Sequence, residues 1–196
     1  MITILVGEDT EEEQRFTVHK DMICAKSKFF KAACSERWAS RKEKIVRPPK
    51  GTPEQFQLYV EWVYFSQLNI DIENTGELQA VLMDLYILGD AIDDYQLRNA
   101  TIESLIANTV VDSPIDCPQL NKVYEATTAG SPFRKFVVDW VVTSARHGSI
   151  KSNIAHMPAE LVQELALFRL ENIALMTTKD AIRFMKVMFK PETDAD

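Results

Sequence analysis

Apolar and polar side chains alternate at the start of the chain. Ile2, Ile4 and Val6 form one short run and Phe16 and Val18 a second, both rich in β-branched or aromatic residues, with the polar stretch 7–14 between them. These runs predict two strands, and the length of the connector predicts that they pair as a loose hairpin. After His19 the pattern changes: Met22, Ile23, Phe29 and Phe30, broken by Ser27, predict two short helices, and Ile45 and Val46 a further strand. Thr52, Pro53 and Gln55 supply an N-cap hydroxyl, a proline in the first turn and a reciprocal amide, the signature of a helix start. That helix would put Phe56, Tyr59, Val60, Val63 and Tyr64 on one face. Asn69, Ile70, Asp71 and Ile72 alternate like an edge strand, and Leu78, Val81, Leu82, Leu85 and Leu88 trace an amphipathic helix. Tyr95, Ile102, Leu105 and Ile106 suggest another from Asp94 to Ile106.

Residues 109–118 carry two prolines and no usable period, which marks a boundary. Beyond it the pattern is helical only. Leu120, Val123 and Tyr124 define a first helix. Ser131 and Pro132 open a second, with Phe133, Phe136, Val137, Trp140 and Val141 on one face. Gly148 is expected to stop that helix, with His147 at its C-terminal end. Leu161, Leu165 and Phe168 mark a third after Pro158, and Ile182, Met185 and Met188 continue weakly. The layout is an α+β domain over residues 1–108, an all-α extension over 109–190 and a frayed tail over 191–196. Phe16, Val18, Ile23, Phe30, Phe56, Val60, Leu82 and Leu85 are expected in the core, with no parallel strands between helices and no strand after residue 120.

Composition narrows the function. The 196 residues are 46% apolar, enough for a real core. With 22 basic and 29 acidic side chains the net charge is −7, the wrong sign for neutralising phosphates, so direct nucleic-acid binding is not expected. The longest apolar runs fall far short of the ~20 residues a membrane span needs, and Met1 leads directly into a strand rather than a leader. Cys24, Cys34 and Cys117 lack metal or redox spacing and read as reduced thiols of a protein of the cytoplasm or nucleus.

Chemistry is sparse. His19, His147 and His156 are far apart, and none sits in a ligand-spaced pair. At a strand-to-helix junction, His19 is expected to hydrogen-bond backbone. Asp90, Asp93 and Asp94 lack the glycine and terminal Glu of a calcium loop, and acidic residues at a helix start are ordinary. Glu11, Glu12 and Glu13 read as a solvated loop tip. The six glycines form neither GxGxxG nor a phosphate loop, and Ser27 and Ser66 lack the flanks of a nucleophile elbow. No catalytic residue, cofactor or metal is expected.

One ordered set of residues does carry a signal. The strand pair, then Val18, His19 and Lys20, then Ser27, Lys28, Phe29 and Phe30, the strand at Ile45, and Glu61, Trp62, Val63 and Tyr64 late in a helix together resemble a BTB/POZ domain over residues 1–106. The run from Leu85 to Asp90 and that from Leu97 to Ala100 are similar to fungal-type members. The resemblance implies a helical cluster flanked by a small sheet that self-associates or binds protein partners such as cullin-3, a ubiquitin-ligase scaffold.

The departures from that pattern matter as much. Self-associating members exchange a helix and strand that precede this chain's first strand, and they place a buried acid beside the basic residue matching Lys20. Met1 holds the acidic position here, so a monomer or weak dimer is expected, with Lys20 as the dimer-pocket basic residue. Cullin-binding members present an apolar-x-Glu triplet; here it is Trp38, Ala39 and Ser40, aromatic but without the carboxylate. Trp38 either anchors a partner or folds back on its own helix. The helical extension resembles the segment that widens the cullin contact in some adaptors, or it only closes a core. Phe65 and Ser66 replace a common Thr-Gly, which leaves that turn open. The resemblance thus implies an adaptor, the alternative being a homo-oligomeric scaffold or a transcription or chromatin cofactor that pairs with another BTB protein.

Overall fold

The computed structural model describes residues 1–7, 13–35, 45–108, 116–144 and 147–174. Strand β1 (Ile2–Val6) pairs antiparallel with β2 (Gln14–Val18), Ile4 opposite Phe16 and Ile2 opposite Val18, so the apolar members of both runs share one buried face. β3 (Ile45–Val46) lies on the other side of β1, giving the order β2-β1-β3. It runs parallel to β1, with Val46 opposite Ile4. This corrects the expectation that no parallel pair would span helices. The connection passes through α1 (Lys20–Lys26) and α2 (Lys28–Ala33), and a helical crossover returns the chain in its original direction.

Helix α3 (Pro53–Phe65) starts at the expected capping box, Thr52 accepting from the Gln55 amide while the Gln55 side chain accepts from the Thr52 amide. Its buried face is Phe56, Tyr59, Trp62 and Val63; Val60 is only half-buried and Tyr64 is exposed, so the stripe lies about one position round from the expected one. Residues 69–72 are not a strand. They form an extended connector whose Ile70 packs with Leu68 against a core, with no described strand beside it to complete a ladder.

Helix α4 (Thr75–Ala91) is the largest departure from expectation. From Leu82 to Gly89 every residue except Asp84 is buried, where an amphipathic helix with one wet face was expected. The reason is that α4 serves two cores. Leu88 packs with Ile4, Val18, Ile23, Phe30, Phe56 and Tyr59. Leu82, Met83, Tyr86 and Ile87 pack with Leu105 of α5 (Tyr95–Ala107) and with apolar side chains of the later helices. On α5 the buried face is Leu97, Thr101 and Leu105, while Tyr95 and Ile106, two of the residues that suggested the helix, are exposed.

The extension comprises α6 (Cys117–Ala126), α7 (Pro132–Ser144), α8 (His147–Asn153), a short 3₁₀ turn at Ile154–His156 and α9 (Ala159–Ala174). Leu120, Val123, Phe133, Val137, Trp140, Val141 and Leu161 all enter the second core. Gly148 does not end a helix and His147 is not a C-terminus; His147 opens α8, and the packing of Ile150 against the core outweighs the roughly 1 kcal/mol that a helical glycine costs. Among the described residues no strand follows residue 120, and no helix is long and apolar enough to cross a membrane.

Candidate interaction surface

The strand-to-helix junction after β2 places His19 and Lys20 at the surface, both exposed. The imidazole does not bond to backbone as expected. Its Nδ1 lies 2.7 Å from the Tyr64 hydroxyl at the end of α3, and the His19 amide donates to that same oxygen at 3.2 Å. With one proton and two lone pairs, the hydroxyl can take the amide and pair with the ring nitrogen at the same time. The exposure of Tyr64 thereby has a purpose: it clamps the start of α1 to the end of α3.

Around that clamp three elements converge. Lys26, in the last turn of α1, donates from Nζ to Ser66 Oγ at 2.8 Å and to Gln96 Oε1 at 2.9 Å. The same ammonium sits 4.9 Å from the centre of the Trp62 ring, within cation–π range. On its inner side Trp62 donates from Nε1 to Asp94 Oδ2 at 3.3 Å, while Asp94 Oδ1 accepts from the Leu97 amide and caps α5. Asp94 is fully buried, and that burial raises its carboxyl above the ordinary range although the Leu97 amide, the Trp62 indole and Lys26 pull the other way. Next to it the Tyr59 hydroxyl is buried as well, and burial raises its pKa too. Ser27 completes this seam, capping α2 at the Phe30 amide and donating to the Ile92 carbonyl at 2.5 Å.

An open groove of about 540 Å³ runs along the outer side of this seam, lined by Trp62, Ser66, Leu68, Gln96, Ala100 and Glu103 among others. Phe65, which precedes the groove residue Ser66, is 68% exposed and Tyr95, which precedes Gln96, 55%. The groove is lined by polar and apolar side chains alike, the mixed character usual where one protein contacts another. The three neighbouring carboxylates are each paired. Asp90 pairs with Arg98 at 2.6 Å, Asp93 with Arg98 and Lys28, and Asp94 with Trp62. Among the described residues no group of His, Cys, Asp and Glu could hold a metal ion.

Of the sequence-derived site residues, Lys20 is on the first turn of α1 and exposed. Trp38, Ala39 and Ser40 lie outside the described residues, as do Glu11, Glu12, Ile182, Met185 and Met188. Lys26 and Gln96 were not singled out by pattern, Asp94 was read only as an ordinary acid at a helix start, and Trp62 only as a member of the set that resembles the BTB/POZ domain. Asp94 was legible as a cap three residues before Leu97, but a buried Trp with a polar handle next to Val63 reads as stripe.

With sheet, helices and surface in place, the comparison with known families is informative: the BTB/POZ domain model matches residues 2–98. The chain is a BTB/POZ-domain protein, with the α+β fold of that domain followed by a helical extension. The domain is a protein–protein interaction module, which agrees with a surface built for contact.

Proposed function

We propose that this chain is an adaptor that binds a protein partner through its BTB domain and extension, and that a cullin-3 type ubiquitin-ligase scaffold is the partner to test first. The observation that carries the reading is the match over residues 2–98 joined to an extension packed on the same helix, α4. Resemblance supplies the rest: Trp38, Ala39 and Ser40 stand where cullin-binding members carry their triplet. The protein acts by binding and not by turnover, in the cytoplasm or nucleus, where such ligases work. Titration calorimetry of the chain with a purified cullin-3 N-terminal domain tests it. Binding should be measurable, and Trp38→Ala should weaken it by roughly 2 kcal/mol while leaving thermal stability unchanged. No binding by the parent chain sinks the cullin assignment.

Self-association without a ligase role is the second reading. It is favoured by the exposed Lys20 and Met22 on α1 and by the exposed Tyr64 clamped to His19, which leave basic and apolar side chains at the surface of the domain. Light scattering after size exclusion separates the readings. A mass near 22.4 kDa favours the adaptor acting alone, and a dimer that survives dilution favours the scaffold.

A further inference from the structure

Two of the three cysteines, one on α1 and one at the end of α2, share a single acceptor. Cys24 lies on α1 and its thiol donates to the Phe30 carbonyl at 3.4 Å. Cys34 is the residue that ends α2, and its amide donates to that same carbonyl at 2.9 Å. One oxygen therefore accepts from both residues, and the Cys34 side chain is close enough to act on the Cys24 thiol. Both cysteines are half-buried, close enough to solvent for a small oxidant, whereas Cys117 is buried at the start of α6 in the second core. We propose that Cys24 and Cys34 are a redox pair that closes to an intramolecular disulfide under peroxide stress, stapling α1 to the end of α2.

The chemistry fixes an order. Cys24 engages its proton with the Phe30 carbonyl, and burial, with the Cys34 thiol beside it, raises its pKa, so Cys24 is the poorer first nucleophile. Cys34 reacts first: its thiolate attacks one peroxide oxygen, the O–O bond breaks, and the departing hydroxide takes up a proton as water. The Cys34 sulfenic acid that results is attacked by the sulfur of Cys24, which loses its proton as the S–S bond forms and a second water leaves. Two thiols have then lost two electrons and two protons, and one peroxide has become two waters. The bridge would fix the chain just where it leaves α2 toward the segment holding Trp38, so the oxidised and reduced forms would present different starting points for that segment.

The experiment is titration of the intact chain with hydrogen peroxide, read by thiol counting and by tryptic mapping without reductant. Cleavage after Lys20, Lys26, Lys31 and Arg37 separates Cys24, on residues 21–26, from Cys34, on residues 32–37. The expected result is a fall from three free thiols to one, a cross-linked pair of those two peptides, and full recovery with dithiothreitol. Cys24→Ser should leave a Cys34 sulfenic acid that dimedone traps, and Cys34→Ser should leave the Cys24 thiol unreacted over the time in which the parent chain closes. Irreversible sulfinic acid at Cys34 in the parent chain, cross-links between chains only, or three surviving thiols each overturn the proposal.

Discussion

Asp94 shows what a single buried carboxyl does to the energetics of this fold. In the unfolded chain it titrates at about 3.9; in the folded chain burial raises it, so the native state holds its proton more tightly. Through the interval between those two values the folded form binds more protons than the unfolded form, and stability falls as pH rises. The contribution is full at and below the unfolded value and is gone once pH exceeds the folded one. Asp94→Asn keeps one oxygen for the Leu97 amide but cannot ionise, so urea denaturation as a function of pH should lose this downward slope from about pH 4 upward. Parallel pH profiles for the two proteins would show that Asp94 is not the group responsible. The residue scale is also where the sequence was least readable. Trp62 and Tyr64 sit two positions apart on α3, and which of them faces inward depends on Asp94 and His19, partners 32 and 45 residues distant that periodicity cannot see.

Elements were more legible, because their ends are written in local chemistry. The hairpin of β1 and β2, the box at Thr52 and the cap at Ser27 are all explained by side chains within a few residues of the chain reversal or helix start. What failed depended on neighbours: residues 69–72 alternate but have no described strand to pair with, and Gly148 reads as a stop until Ile150 has a core to enter. Packing sets the expected outcome of two substitutions at this scale. Arg134, on α7, is 6% exposed and lends its guanidinium to the C-terminal end of α6, donating to the Tyr124 and Thr127 carbonyls at 2.6 Å each and lying 4.4 Å over the Tyr124 ring. Arg134→Met strands those carbonyls and should cost about 2–3 kcal/mol in chemical denaturation; Arg134→Lys should not restore it, since one ammonium cannot reproduce the planar fork. Gly89, on α4, faces α5: an added Cβ would stand 3.2 Å from Leu97 Cδ2 and 3.3 Å from Arg98 Cγ. Leu97 is fully buried and Arg98 is held by Asp90, so neither yields easily. Gly89→Ala should therefore lower the melting temperature, against the gain of up to about 1 kcal/mol usual for that change in a helix.

At the scale of the whole molecule the domain and its extension are joined through α4. Besides its apolar faces, α4 contributes Asp84, which accepts from Gln55 of α3 at 2.9 Å and from Gln119 and Lys122 of α6 at 2.8 and 2.5 Å. One carboxylate thus ties the family-defining part to the extension. Removing everything after Asn108 would bare Leu82, Met83, Tyr86 and Ile87 to water, so the shortened chain should melt well below the full one or aggregate, and the full chain should unfold in one calorimetric transition. Two separate transitions would show that the cores are independent. The boundary at residues 109–118 was legible as a break in pattern; that it does not divide two autonomous units was not, because a helix buried on every side looks, in sequence, like an apolar helix with a generous stripe.

The double duty of α4 also bears on ancestry. A segment whose side chains are committed in two directions at once accepts substitutions only when both neighbourhoods tolerate them, so α4 should drift more slowly than the helices on either side. The half of the chain that recombination could carry into another gene would have to bring its companion along, or replace the second set of contacts in the same step.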